Sequence, residues 1–112
     1  MSDLRCCQAC ENNKQPIIEQ LVTYFSHARN VLEIGSGTGQ HAVHFAPLLK
    51  HLTWHTTDLV ENHDGINDWI DAYPADNLKR PREFVIGQSA WPALTIDAVF
   101  SANTAHIMAV DL

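Results

Sequence analysis

Hydrophobic side chains recur along this chain at two spacings, one typical of helices and the other of strands. The helical spacing predicts a first helix from about Asn12 to His27, with Pro16 in its first turn. A second helix is predicted to begin near Gly39 and to bend or end at Pro47, and a third lies between two polar segments further along the chain. The apolar positions that define the three helices are Ile17, Ile18, Leu21, Val22 and Phe25; Ala42, Val43, Phe45 and Ala46; and Ile66, Trp69, Ile70 and Tyr73.

Short β-rich segments alternate with these helices, which predicts an α/β fold with a Rossmann-like parallel sheet. The segment from Pro74 to Arg82 has two prolines and alternating charge and is predicted to be a loop, and Thr104 is predicted to cap a further helix. We expect one domain over residues 1–112, with a flexible N-terminus over 1–11. The four predicted strands are Val31–Ile34, Leu52–Thr56 with its end at Asp58, Phe84–Ile86, and Ile96–Ala102.

The balance of charges and the distribution of apolar residues exclude several classes of protein. The 112 residues contain 7 Lys and Arg against 13 Asp and Glu, a net charge of −6, which disfavours nonspecific binding to nucleic-acid phosphates. No apolar run approaches the roughly 18 residues of a membrane span. The first residues carry an acid and no apolar core of a secretory signal. We therefore expect a cytoplasmic protein that does not bind membranes.

The three cysteines, Cys6, Cys7 and Cys10, are clustered near the N-terminus. An odd, clustered set does not form a disulfide framework, so we expect reduced thiols. Cys7 and Cys10 have the spacing of a zinc-binding pair, but a structural zinc site needs four ligands and no second pair lies at a suitable distance. The seven histidines do not supply one either. The sequence therefore predicts no metal site.

Three glycines at alternate positions, Gly35, Gly37 and Gly39, lie between a predicted strand and a predicted helix. Glycine permits positive φ and lets backbone N–H groups approach a ligand closely. The start of the following helix favours a negatively charged group. Asp58 follows Gly39 by nineteen residues, at the end of the next strand. At that place its carboxylate is expected to accept hydrogen bonds from both hydroxyls of a ribose.

Two residues near the glycine turn discriminate between ligands. A dinucleotide fingerprint requires glycine at position 40, where this chain has Gln40, and Glu33 in the strand suits a cationic ligand better than a phosphate. An NAD-dependent oxidoreductase is therefore a less favoured alternative. A non-enzymatic cofactor-binding or assembly module is a second alternative, indicated by the short chain and by Gly87-Gln88 after the third predicted strand.

The segment Val31–Gly39, with the letters VLEIGSGTG, resembles the first motif of the class I S-adenosylmethionine-dependent methyltransferases. A closer resemblance is to the DUF938 family, which is related to the vertebrate methyltransferase-like 26 proteins. Four further segments resemble that family: Ala9–Ile17, Gln40–Ala42, Leu52–Trp54 before Asp58, and Ser101–Met108.

This resemblance implies a methyltransferase with S-adenosyl-L-methionine as cofactor and a seven-stranded sheet, of which the chain is expected to hold the cofactor-binding half and to be incomplete at its C-terminus. His106 is a candidate general base at the carboxyl edge of the sheet, with packing or helix capping as its alternative role. The implied cofactor-binding residues are Glu33, Gly35, Ser36, Gly37, Thr38 and Gly39 around the methionine part, Asp58 at the ribose, Gln88 and Ser89 near the adenine, Trp91 as an apolar wall or a core aromatic, and Asn103 facing the reacting methyl group.

The expected reaction is methyl transfer to a small molecule or to a protein side chain. The methyl group of a sulfonium is already activated, so positioning and the exclusion of water supply most of the rate, and no catalytic triad is required. The fourth strand is expected to leave an open sheet edge, which a partner chain or a second copy would cover.

Overall fold

The computed structural model describes residues 8–84, 95–101 and 106–109. Three α-helices and five β-strands occur in these residues, together with two short 3₁₀ turns over Ala46–Leu48 and Val60–Asn62. In chain order the elements are α1 (Gln8–Tyr24), β1 (Asn30–Glu33), α2 (Gln40–Phe45), β2 (Thr53–Asp58), α3 (His63–Ala72), β3 (Leu78–Glu83), β4 (Ala98–Ser101) and β5 (His106–Ala109).

The strands form one sheet in the order β3-β2-β1-β4-β5. The first four strands in that order are parallel, and β1 lies between β2 and β4 through the pairs Val31↔Trp54 and Leu32↔Val99. The fifth strand runs antiparallel to β4. The structure thus confirms the predicted α/β, Rossmann-like fold with four parallel strands, and it adds a strand that the sequence analysis missed.

Alternate residues of each strand face opposite sides of the sheet, and the two faces are packed differently. One face carries the main core, to which all three helices contribute, and among its fully buried side chains are Leu21, Phe45 and Trp54. The inward positions predicted for α2 are all buried, whereas Tyr73 is 55% exposed. The other face carries a smaller cluster: Leu32, Phe84, Ile96 and Val99.

The first helix begins earlier than predicted. Residues 8–11 belong to α1 rather than to a flexible N-terminus, and Pro16 lies inside the helix instead of in its first turn. Side-chain pairs support the additional turn, since Gln8 donates to Asn12 and Lys14 lies 3.4 Å from Glu11.

Cys10 lies in that additional turn and is disulfide-bonded. The expectation of reduced thiols is therefore wrong for this residue. The local geometry of the chain decides whether two sulfur atoms meet, and a count of cysteines does not contain that information.

The third strand lies where the sequence predicted a loop. β3 spans Leu78–Glu83, Phe84 follows it, and the remainder of the predicted strand over 84–86 lies outside the described residues. The register against β2 shifts between His55↔Lys79 and Thr57↔Arg82, so β3 bulges around Pro81. Proline is tolerated at a bulge and on an edge strand, and this is why a segment with charged side chains and a proline still forms a strand.

The fifth strand also corrects two expectations. The helix that Thr104 was expected to cap is absent from the described residues that follow, because 106–109 form β5, while Thr104 itself lies outside the described part. Antiparallel pairing with β4 satisfies the main-chain groups of this segment without a helix. The edge of β4 is consequently covered by β5 of the same chain, and a second copy of the chain as partner stays a prediction. Among the described helices, none is both long and apolar enough for a bilayer span.

Candidate functional site

The glycine turn connects the end of β1 to the start of α2. Gly35, Gly37 and Gly39 have φ angles of 68°, 62° and 91°, in the left-handed region that favours glycine. A Cβ atom at Gly39 would lie 3.2 Å from the Cα atom of Ile66, so close packing against α3 also requires glycine there. At Gly37, which is exposed, a Cβ atom would have no neighbour within 4 Å. The backbone at Gly37 therefore borders open space.

Asp58 lies directly against this turn. Its Oδ2 atom accepts a hydrogen bond from the Gly37 N–H at 2.7 Å, and its Oδ1 atom accepts one from the Leu59 N–H at 2.7 Å and one from Asn62 Nδ2 at 2.9 Å. The residue is buried, with 9% exposure. The structure thus brings the glycine turn and the acid together, as the parallel arrangement of β1 and β2 implies.

Ser36 and Thr57 join the turn to β2. The Ser36 N–H donates to the Thr57 carbonyl at 2.8 Å, and the Thr57 N–H donates to Ser36 Oγ at 3.0 Å. The Thr57 hydroxyl also donates to the carbonyl of Glu33. These reciprocal bonds hold the first half of the turn. Thr57 was not predicted as a site residue, because a threonine in a strand carries no distinctive signal.

Glu33 lies beneath the turn, with only 1% of the residue exposed. Trp54 Nε1 donates to its Oε1 atom at 3.1 Å. Burial raises the pKa of the Glu33 carboxyl to about 7, and hydrogen bonds from Trp54 and Ser36 offset only part of that effect. The expected contact between Glu33 and a ligand stays a prediction, since this carboxyl does not reach the surface.

A cleft of about 260 Å³ adjoins the turn on its helical side. Gln40, which follows Gly39, lines it together with the Glu11–Lys14 ion pair of α1 and the stacked rings of Trp69 and Tyr73, whose centroids are 5.8 Å apart. The Thr38 hydroxyl donates to Gln40 Oε1 at 3.1 Å, which links the end of the glycine turn to this cleft.

The remaining predicted site residues are only partly covered by the structure. Gln88, Ser89, Trp91 and Asn103 lie outside the described residues. His106 begins β5, where its backbone pairs with Ser101 at the carboxyl end of β4. This position is at the same edge of the sheet as the glycine turn, as the sequence analysis expected.

Two histidines of α2, His41 and His44, pack against the ring of Phe45. His41 is buried and stacks on Phe45, with ring centroids 5.1 Å apart, and burial lowers the pKa of its imidazole. Burial also lowers the pKa of His44, one turn further along. Within the ranges that the structure describes, no group of three or more His, Cys, Asp or Glu side chains is arranged to hold a metal ion.

Comparison with known protein families identifies the family of this sequence. A family model described as "Protein of unknown function (DUF938)" matches residues 4–112. The chain belongs to the DUF938 family. The match includes the glycine turn, Asp58 and all five strands, so the features described above are those of a DUF938 protein.

Solved structures share the fold of this DUF938 chain. The S-adenosylmethionine-dependent methyltransferase SibL, in its apo form, is 20% identical with a TM-score of 0.73, over 84% of this chain and 27% of SibL. Coclaurine N-methyltransferase bound to N-methylheliamine and SAH is 14% identical with a TM-score of 0.65, over 90% of this chain and 30% of that enzyme.

An O-methyltransferase family protein from Burkholderia thailandensis is 23% identical with a TM-score of 0.50, over 69% of this chain and 23% of that protein. The DUF938 chain thus spans less than a third of the length of each of the three proteins. At these identities the likeness shows a common α/β, Rossmann-like fold.

Proposed function

We propose that this DUF938 chain is the cofactor-binding half of an S-adenosyl-L-methionine-dependent methyltransferase that transfers a methyl group to a small molecule or a protein side chain. One observation carries the proposal: the Gly37 N–H and the Asp58 carboxylate meet at 2.7 Å beside open space. The fold supports it, because SibL and coclaurine N-methyltransferase are S-adenosylmethionine-dependent or SAH-bound proteins by their descriptions.

The residues around the turn fit this cofactor better than a dinucleotide. An acid at the end of β2, such as Asp58, serves the ribose of either cofactor and does not discriminate between them. Gln40, which is buried, occupies the position where a dinucleotide fingerprint has glycine. This residue disfavours the NAD-dependent alternative.

Each predicted site residue has a role in the proposal. The backbone of the turn, with Ser36 and Thr38, holds the methionine part, and Asp58 holds the ribose. Glu33 supports the turn from beneath through Ser36. The cofactor supplies an activated methyl group, while the chain binds it, orients it and excludes water. For the residues outside the described part, the proposal keeps the roles that the family resemblance implies: Gln88 and Ser89 at the adenine, Trp91 as an apolar wall or a core aromatic, and Asn103 at the methyl group. His106 is kept as a candidate general base.

Calorimetric titration tests the proposal. We expect the wild type to bind S-adenosyl-L-methionine and S-adenosylhomocysteine, and Asp58→Asn to weaken both about tenfold, because the charged acceptor of the ribose is lost. Asp76→Asn is a matched control, since Asp76 is exposed and precedes β3 at the opposite edge of the sheet. Absence of binding by the wild type would refute the proposal, and equal binding by Asp58→Asn would remove Asp58 from the site. Titration with NADH tests the oxidoreductase alternative in the same instrument, and binding without methyl transfer would favour the non-enzymatic module.

A further inference from the structure

The Asp58 carboxylate has little hydrogen-bonding capacity left for a ligand. An ionised carboxylate offers about four acceptor positions, two on each oxygen. Oδ1 uses both of its positions, for the Leu59 N–H and for Asn62 Nδ2, and Oδ2 uses one for the Gly37 N–H. Among the contacts described, one acceptor position therefore remains, and it belongs to Oδ2. The arrangement differs from the expectation that this carboxylate receives both hydroxyls of a ribose.

Asn62 takes part in this arrangement through its side-chain amide. It is the last residue of the 3₁₀ turn that runs into α3, and its backbone is helical, so it lacks the extended conformation from which an N-cap side chain bonds to the first N–H groups of a helix. No such bond is formed at this position, and the Asn62 amide instead donates to Asp58 Oδ1. The neighbouring His63 ring lies 3.0 Å from the Asp58 carbonyl oxygen, so both ends of Asp58 are held by the segment that leads into α3.

We infer that Asn62 is a positioning residue for ligand recognition, acting through Asp58. Together with the Leu59 N–H it occupies Oδ1, and it thereby fixes the plane of the carboxylate and leaves the remaining acceptor position on Oδ2, the atom that contacts Gly37 of the glycine turn. This inference rests on the proposed function. It specifies that Asp58 receives one hydroxyl group of the ribose and not two.

The test uses S-adenosylhomocysteine and its 2′-deoxy and 3′-deoxy counterparts as calorimetric probes. For the wild type, removal of one hydroxyl should weaken binding about tenfold, and removal of the other should change it less than threefold, because a single charge-assisted bond is lost. Asn62→Asp keeps the shape of the side chain but replaces the donor with a second carboxylate facing Asp58. This variant should bind S-adenosylhomocysteine at least tenfold more weakly and should discriminate between the deoxy probes by less than threefold.

Asn67→Asp is the matched control, because it introduces the same charge on α3 while an aspartate still accepts the hydrogen bond that Asn67 receives from Arg80 Nη1. It should behave as the wild type. Asn62→Ala removes the donor without adding charge and should also lose discrimination, which keeps the test valid if Asn62→Asp does not fold.

The possible failures are distinguishable. If the wild type binds none of the probes, the proposed function is refuted and this inference with it. If the wild type binds but loses affinity equally for both deoxy probes, or if the Asn62 variants retain the discrimination of the wild type, only the assignment of Asn62 is overturned.

Discussion

At the scale of single residues, Glu33 shows how an acid is accommodated in an otherwise apolar layer. Its carboxyl is buried beside Trp54, and its desolvation is offset by only two side-chain hydrogen bonds. The charged form is therefore disfavoured near neutral pH. We interpret Glu33 as a residue that supports the glycine turn. Its ionisation lowers the stability of the fold, so its effect on stability depends on pH.

The sign of that dependence follows from the raised pKa. The unfolded value is 4.5 and the folded value about 7, so the folded protein retains the proton over this interval. The contribution of Glu33 to stability is fully present below pH 4.5 and is lost as the pH rises through 7. Between pH 5 and pH 8 we expect the wild type to lose roughly 2 kcal/mol of its free energy of unfolding relative to Glu33→Gln, because the variant has no carboxyl group to ionise at this position.

Urea unfolding at the two pH values measures this effect. Glu19→Gln, which changes an exposed position of α1, is the control and should follow the wild type at both. A constant difference between Glu33→Gln and the wild type across the range would contradict the assignment of a raised pKa to Glu33.

The sequence predicted part of the site at this scale. Asp58 and the glycine turn were expected to meet because adjacent parallel strands end at the same edge of the sheet, and they do meet. The occupation of the carboxylate by Leu59 and Asn62 was not predictable, because it depends on the exact course of the chain after β2. The burial of Glu33 depends on the distant Trp54, and this contact has no signature in the local sequence.

At the scale of elements, the glycine turn joins β1, β2, α2 and α3. Two of its glycines are required for different reasons. Gly39 packs against Ile66 of α3, whereas Gly37 borders open space and donates to Asp58. The two positions therefore separate the structural role of the turn from its proposed binding role.

Substitution by alanine tests this separation. Gly37→Ala should lower the free energy of unfolding by about 1 kcal/mol, the cost of an alanine in the left-handed conformation. It should also weaken binding of S-adenosyl-L-methionine, because the alanine methyl group enters the open space beside the turn. Gly39→Ala should cost about 2–3 kcal/mol, because backbone strain adds to the contact with Ile66. Chemical denaturation and calorimetry of the two variants measure both effects. Equal destabilisation of the two would contradict the distinct roles.

Helices and strands were predictable from the sequence where the spacing of apolar residues determines the structure. They were missed where pairing with a neighbouring strand determines it. The helices and strands around the glycine turn follow directly from apolar spacing. β3 exposes four of its six residues, so its sequence resembles a loop, and pairing with β2 determines its structure. β5 depends likewise on β4, which is why a helix was predicted in its place.

At the scale of the whole molecule, Asn77 connects three parts of the chain at the amino edge of the sheet. Its Nδ2 atom lies within 2.7–3.2 Å of the carbonyl oxygens of Ala46, Leu49 and Leu52, and its own carbonyl accepts from the Trp54 N–H at 2.7 Å. The side-chain amide of Asn77 thus hydrogen-bonds to carbonyl groups in the segment between α2 and β2, and the backbone of Asn77 directly precedes β3.

Asn77→Asp should therefore destabilise the whole fold. A carboxylate of the same shape would face several carbonyl oxygens without a donor, and we expect a loss of about 3 kcal/mol in the free energy of unfolding at pH 7. Thermal melting monitored by circular dichroism measures the loss. Asn67→Asp serves again as control, because its side chain is near Arg80 on the surface. An unchanged melting temperature for Asn77→Asp would show that this amide does not connect the segments energetically.

The bulge in β3 also affects how copies of the molecule meet. A flat apolar strand at the margin of a sheet recruits strands from other molecules and so promotes aggregation. β3 instead presents exposed Lys79, Arg80 and Arg82, and Pro81 lacks an N–H group. Pairing of β3 with a strand of another molecule is therefore disfavoured, because the basic side chains repel each other and Pro81 lacks a hydrogen-bond donor. The edge strand thus protects the other parallel strands of the sheet from intermolecular β-aggregation.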